Sequence, residues 1–591
     1  MTQSQLGHGI TVCRAGVTLV ALLACTLPAS AQPSSGGSVS RLTARAAVAG
    51  EPIRAVDGSA AERVTLDAGL APTLLQLGPE QSARVADWPV APGLRADVLL
   101  TRHEVYAAGA RIIKVEGRRQ TALPRSRLAF YWGSADDDPE IRVFASVDPM
   151  TAELSGFAQT RDGLHELRRD GLAHRVAKPE AFLPADATAA GPPRWSCGEE
   201  NLPRSLELPF APTEKIASAA AALTSLATAT VAIDTDNELM LGKFNDDTTA
   251  ATNYLASLFA AIDVMYERDL LVRLVQGTTF LRVSTTADPY VQVDTAGADP
   301  NELDEFSTYW NNNFGSVQRA VAAMISGKQG ASNSASGIAW INGLCSKSVG
   351  YSFSQVFKIS YLAGDALIVG HEIGHNFGSP HTHCYSPPID MCFNTEPGCY
   401  SGPESCPAPT TINTVPSVTG TIMSYCHLLG GGCSSSMVFH PRTVALVSPN
   451  ITAALNVCIF PLGASTGTSF FTVTPCRVVD TRNPNGPLAG PALAGGAQRT
   501  FPVAGVCGIP SGAKSIAANV TIISTTAAGS LTSYAGNASP LGTNAISFKS
   551  ADTRANNAVL LLATDGTGTI GIQNNAAGSV QFIVDVDGYF Q

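Results

Sequence analysis

Charge is scarce in this chain of 591 residues: Asp, Glu, Lys and Arg together make up 15%, against roughly 25% in an ordinary soluble domain. Long solvated acidic or basic tails are therefore not expected. Lysine and arginine are outnumbered 38 to 48, for a formal charge of -10, and they form no run anywhere. Binding through nucleic-acid phosphates needs a basic patch, so that class of function is excluded. A membrane-spanning apolar run is lacking as well. Residues 15–27 fall short of the ~20 residues a span requires, and the uncharged stretch 216–233 is mostly Ala, Thr and Ser, which transfer poorly into lipid. Cysteine is nearly missing from the first half, where Cys197 stands alone between residues 32 and 344. No disulfide can staple that half internally.

The features that are present begin with residues 1–31. Arg14, the short apolar stretch and Ala29-Ser30-Ala31 before Gln32 read as a secretory signal peptide. The alternative is a lipid anchor at Cys25 after Leu22-Leu23-Ala24. Of 13 cysteines, those after the signal region form a group of eight, from Cys345 to Cys458, and a pair, Cys476 and Cys507. In an oxidising compartment eight and two close among themselves, and Cys197 is left over.

Short alternating runs such as Arg111-Ile112-Ile113-Lys114-Val115 mark residues 32–180 as β-rich. Two Pro/Ala- and Ala/Ser/Thr-rich stretches, 183–193 and 216–230, read as linkers around a tether carrying Cys197. From 231 strands alternate with helices: a strand at 231–233, an amphipathic helix at 253–268 with Leu255, Leu258, Phe259, Ile262 and Met265 on one face, a strand at 270–275 and another at 337–341. Helices follow at 360–377 and 441–456, separated by an irregular Cys/Pro/Gly-rich stretch. After a Gly/Ser/Thr linker the texture is all-β, of sandwich type. Asp480, Asp585 and Asp587 there are the only grounds for calcium, and strand-end aspartates are far more often turn formers.

Chemistry concentrates in His371-Glu372-Ile373-Gly374-His375-Asn376-Phe377-Gly378-Ser379-Pro380-His381. Two His at i and i+4 project from one helix face and can bind one metal as neutral imidazoles. Gly378 is where the helix stops, because glycine enters the left-handed conformation freely, and the returning chain can bring His381 to the same ion. Three His with an open fourth position describe a catalytic rather than a structural zinc site. Glu372 lies beside the first ligand but off its face, where a carboxylate can take a proton from water. His383, His427 and His440 fit no ligand spacing and are read as structural or surface residues.

Residues 371–381 resemble the extended zinc motif of the metzincin metalloproteases, and Thr421-Ile422-Met423-Ser424-Tyr425 looks like their Met-turn. Gly337-Ile338-Ala339-Trp340 through Cys345 resembles the edge strand and following cysteine of the reprolysin (ADAM-type, adamalysin-like) branch, as does Phe439-His440-Pro441-Arg442 before the last helix. The resemblance covers 231–458. It implies an α/β (α+β) domain with a five-stranded mixed sheet and a zinc-binding helix. It also implies Met423 as an apolar floor under the imidazoles and a Cys345–Cys458 bridge. Tyr425 is more typical of the astacin and serralysin branches, where it approaches the zinc and the developing oxyanion; the alternative is an ordinary packed tyrosine. The branch's calcium site uses an acidic residue opening the first strand, and 228–231 has none, so Ca2+ stays unsupported. The last domain resembles a β module appended to bacterial secreted proteins.

The sequence therefore predicts a multidomain secreted zinc endopeptidase acting on protein or peptide substrates. Its parts are a signal peptide (1–31), a β-rich propeptide (32–200), a linker and activation region (201–228), a catalytic domain (229–458), a linker (459–470) and an all-β accessory domain (471–591). Substrate is expected to add antiparallel to the strand at Gly337, Ile338, Ala339 and Trp340. Cys197 is read as a cysteine switch, its thiolate filling the open zinc position in a latent precursor; the alternatives are intermolecular pairing or a buried inert thiol. The rival from another class is a secreted adhesin with a vestigial metal domain, whose C-terminal sandwich contacts a surface glycan or protein. Retention of Glu372 counts against it, because a structural zinc site has no use for a base.

Overall fold

A computed structural model describes residues 42–591 apart from 56–57, 139–140, 161–162, 184–193, 199–222, 224, 293–297, 329–333, 408–409, 413–414, 418–419, 430–432, 463–469, 541–543 and 564. The signal peptide, Cys25 and most of the linker 201–228 lie outside the described residues.

Residues 42–177 are mostly strand, as the alternating runs predict. Ten strands form one sheet, antiparallel throughout except for the first pair, Leu42–Arg45 with Ser82–Ala91. Alternation along each strand gives the sheet two apolar faces. Tyr131, Val143 and Ala145 fill a core private to this sheet. Phe130, Trp132, Phe144 and Phe157, on the other face, belong to the core of the domain that follows. The N-terminal sheet is thus packed onto that domain by large aromatic side chains.

The second sheet has nine strands where five are expected. The five strands within 227–355 run in the order Ser334–Ala339, Tyr351–Gln355, Val321–Ser326, Ala227–Thr235, Val272–Arg282. Ser334–Ala339 is antiparallel to its neighbour and the other pairs are parallel. The additions come from outside. Arg194–Cys197 pairs with Ser334–Ala339, the hairpin Ile112–Glu116 and Arg119–Leu123 pairs with Val272–Arg282, and Ile459–Pro461 pairs with Ala227–Ala229. The physical reason is that a bare sheet edge presents a row of unsatisfied backbone groups, and the residues before 200 cover both edges. The same pairing trims the expected linkers, because one strand begins at Ala227, inside 201–228, and another, Ile459–Pro461, lies inside 459–470.

Along the central strands alternate residues sort to opposite faces. Val231, Ile233, Val321 and Ile325 face the helices Thr248–Leu270 and Leu362–Asn376. Ala232, Ala322, Met324 and Phe353 face the helix Pro300–Phe314 through Phe306 and Trp310. That helix is not anticipated, although Asp299 and Glu302 form a full capping box at its start. The helix Asn237–Phe244, N-capped by Asp236, is also unanticipated.

Asp234, next to last in the central strand, is fully buried and accepts from Arg282 Nε at 2.8 Å and Nη2 at 2.7 Å, from Tyr290 Oη at 2.7 Å and from Trp310 Nε1 at 2.8 Å. Asp234→Ala would leave the Arg282 guanidinium buried without its counter-charge. The expected loss is about 3–5 kcal/mol, read from the shift in denaturant midpoint, and a loss under about 1 kcal/mol would mean water takes the carboxylate's place.

After residue 470 two four-stranded antiparallel sheets enclose a Val/Ile/Leu/Phe core, a sandwich as predicted. Asp480 and Asp585 are ion-paired with Arg482 and Arg477, a structural use for both. Five disulfides close: Cys345–Cys458, Cys384–Cys399, Cys392–Cys426, Cys406–Cys433 and Cys476–Cys507. The first and last agree with the sequence reading, and the other three settle pairings it leaves open. The disulfides are consistent with an extracellular protein; no helix among the described residues is long and apolar enough to cross a membrane.

Candidate metal centre

The helix Leu362–Asn376 is placed by its first turn. Asp365, fully buried there, accepts from Phe357 N at 2.9 Å, Tyr254 Oη at 2.7 Å and Lys243 Nζ at 3.1 Å, which locks the helix start to two neighbouring elements. At its other end Asn376 Nδ2 donates to the carbonyls of Trp340 and Tyr351, both at 2.9 Å, holding the helix against the edge strand. Gly378 has φ +105°, and the chain reverses there as predicted, so that His381 returns toward His371 and His375. The edge strand is Ser334–Ala339 rather than 337–341. Trp340 lies beyond it, because the chain turns at Asn342, whose φ is +58°.

The three imidazoles converge. Each has one nitrogen held by an acceptor: His371 Nδ1 on the Ile422 carbonyl at 2.8 Å, His375 Nδ1 on the Ser379 carbonyl at 2.7 Å, and His381 Nδ1 on Glu396 Oε2 at 2.8 Å. This fixes the tautomer and leaves the other nitrogen for a metal. His371 Nε2 and His375 Nε2 lie 3.0 Å apart. All three rings are fully buried. Burial, then the neighbouring imidazoles, pushes His371 well below its usual pKa and His375 down to about 3. Preoriented, convergent imidazoles, two of them held neutral by burial, fit a zinc ion.

Met423 lies under the helix: a Cβ on Gly374 would sit 2.6 Å from its Sδ. Its carbonyl accepts from Thr382 N at 3.0 Å, tying this turn to the segment carrying His381. Glu372 is fully buried beside the edge strand, and only the missing side chain of Gly337 makes room, since a Cβ there would lie 2.3 Å from Glu372 Oε1.

Cys197 is buried in this cluster and is in no disulfide. It comes within 4.8 Å of the three histidine ligand atoms. Its Sγ donates to Glu372 Oε2 at 3.5 Å and is 3.5 Å from His375 Nε2. Its backbone carbonyl accepts from Tyr425 Oη at 2.9 Å. The strand that carries it runs parallel to the edge strand, with Cys197 opposite Gly337 and Gly198 N bonded to the Gly337 carbonyl at 2.7 Å. The edge expected to receive substrate is thus taken by the chain itself.

The sequence reading missed three participants. Glu396 sits in the loop closed by Cys384–Cys399 and accepts from His383 Nε2 at 2.7 Å as well as from His381. Burial opposes its charge, yet the His381 and His383 rings hold it well below the usual carboxylate range. His383 is accordingly buried, as a partner of that carboxylate. Trp195 and His427 stack on each other beside His371. His440 has the structural role expected of it, its Nδ1 accepting from Arg442 N at the start of the helix Pro441–Ala454.

No curated protein matches the chain. Among solved structures, two of the Tobacco streak virus coat protein align at 13% and 12% identity, covering 20% and 21% of this chain and 85% and 87% of theirs, each with a TM-score of 0.13, too low to carry weight. Residues 225–432, which hold the three histidines, Glu372, Met423 and Tyr425, match the family model Reprolysin_5 of metallo-peptidase family M12, and this supports a metallopeptidase of metzincin type.

Proposed function

We propose that the chain is a secreted zinc-dependent endopeptidase made as a latent precursor, with His371, His375 and His381 as zinc ligands and Glu372 as general base. The observation that carries this reading is the convergence of three buried imidazoles with a buried carboxylate and a thiol at one point. Zinc held there would polarise a scissile carbonyl and acidify a water molecule. Glu372 takes the proton of the attacking water and delivers it to the leaving amine. Met423 gives the ligands an apolar floor, Glu396 orients His381, and Gly337 lets substrate backbone approach Glu372. Residues 32–200 act as the propeptide, 229–458 as the catalytic domain and 471–591 as an accessory module. Casein hydrolysis by the activated protein, lost with a chelator and restored by zinc, is the expected result; hydrolysis indifferent to chelation would refute the proposal.

Tyr425 is assigned to the transition state, because its hydroxyl already donates to a peptide carbonyl beside the cluster, that of Cys197. In the activated enzyme the same hydroxyl would meet the developing oxyanion. Tyr425→Phe is expected to lower kcat by about 10-fold to 100-fold, the worth of one transition-state hydrogen bond, with KM little changed. An unchanged kcat would assign it to packing.

A further inference from the structure

The tether strand Arg194–Cys197 carries a second buried side chain. Trp195 and Cys197 point to the same face of the strand, while Arg194 and Ser196 are exposed. The indole of Trp195 stacks on His427 with centroids 4.0 Å apart and planes at 17°. It meets His371 edge-on at 5.0 Å and Tyr425 at 6.5 Å. His427 Nε2 also donates to the Trp195 carbonyl at 2.9 Å, and Ser435 Oγ lies 3.0 Å from its Nδ1. One imidazole therefore stacks on the side chain and holds its backbone.

Direction decides what this pocket is. The tether runs parallel to Ser334–Ala339, with Trp195 opposite Ala335 and Cys197 opposite Gly337. A substrate strand adding antiparallel to the same edge would run the opposite way. Tether residues that precede Cys197 therefore lie where substrate residues that follow the scissile bond would lie. Because the indole touches a ligand imidazole, its pocket adjoins the metal position, and the side chain it receives is that of the first residue after the cut.

We propose that His427, with Tyr425 and the His371 ring, forms a specificity pocket for a flat aromatic side chain immediately after the scissile bond, and that Trp195 fills this pocket in the precursor. The proposal rests on the endopeptidase reading and names the substrate class of that site: peptides with Trp, Phe or Tyr at this position. His427 is the selecting residue, because a face-on ring contact favours aromatic over aliphatic side chains of similar size.

The first test needs no turnover. A synthetic peptide of residues 192–199 is titrated against the activated, zinc-loaded full-length protein by calorimetry. Its Trp195→Ala form is expected to bind about 10-fold or more weakly, and its Trp195→Phe form within about 3-fold of the parent. With His427→Ala protein the difference between the Trp and Ala peptides should shrink several-fold, and His427→Phe, which keeps a ring, should retain most of it. Equal binding of the Trp and Ala peptides to unaltered protein would overturn the pocket. The second test is cleavage of a randomised peptide mixture with sequencing of the products. Aromatic residues should be enriched at least about 10-fold over alanine at the first position after the cut, and no such enrichment would overturn the substrate assignment. Tight, Trp-dependent peptide binding with no hydrolysis of any member would instead count against the endopeptidase reading and uphold the pocket.

Discussion

Glu372→Ala in the activated protein is expected to lower kcat for peptide hydrolysis by about 10³-fold or more, the scale on which a general base contributes to metal-assisted hydrolysis. Zinc content should be kept, since the three imidazoles and their acceptors, the Ile422 and Ser379 carbonyls and the Glu396 carboxylate, are untouched. Glu372 also fills the space against Gly337, so Glu372→Gln serves as the volume-conserving partner, with a loss of similar size. Steady-state kinetics beside zinc determination on both variants decides the matter. Activity comparable to the unaltered protein would sink the mechanism.

The second large effect concerns latency. In the Cys197→Ala precursor the thiol no longer reaches Glu372 Oε2 and His375. Losing one contact to a charged group is worth about 1.5–3 kcal/mol, so activity before any processing should rise by about 10-fold to 100-fold, and further where a thiolate–zinc bond is lost as well. The unaltered precursor should be silent and should be woken by a thiol-modifying mercurial. A silent Cys197→Ala precursor would assign the blockade to strand pairing and Trp195, and leave the thiol no part in it.

What could be read in the sequence was local. The metal helix, its glycine stop and the return of His381 follow from spacing within eleven residues, and the C-terminal sandwich follows from alternation. Glu396 could not be found this way: fifteen residues beyond His381, in an irregular loop, it reaches the cluster only because Cys384–Cys399 folds that loop back. The nine-stranded sheet was equally hidden. Periodicity identifies Ile112–Glu116 as a strand, but nothing local names Val272–Arg282 as its partner. The helix Pro300–Phe314 was legible and overlooked, since Asp299, Glu302 and the spacing of Leu303, Phe306 and Trp310 mark its start and its buried face.

On the latent-precursor reading proposed above, the strands that the N-terminal segment lends to the second sheet make it an inhibitor with two handles. One handle is the hairpin on Val272–Arg282, backed by the aromatic face of the ten-stranded sheet; the other is the tether in the cleft. A single cut within 199–226 breaks the covalent link and leaves both handles closed. Whenever the tether lifts, the hairpin keeps it at an effective concentration of about millimolar, so rebinding outruns escape. Severing the chain is therefore a different event from gaining activity, and the interval between them is set by how quickly the two handles are separated from each other. A further cut between Leu183 and Arg194, beyond the last strand of the ten-stranded sheet at Ala173–Ala177, would separate them and turn one tenacious ligand into two weak ones.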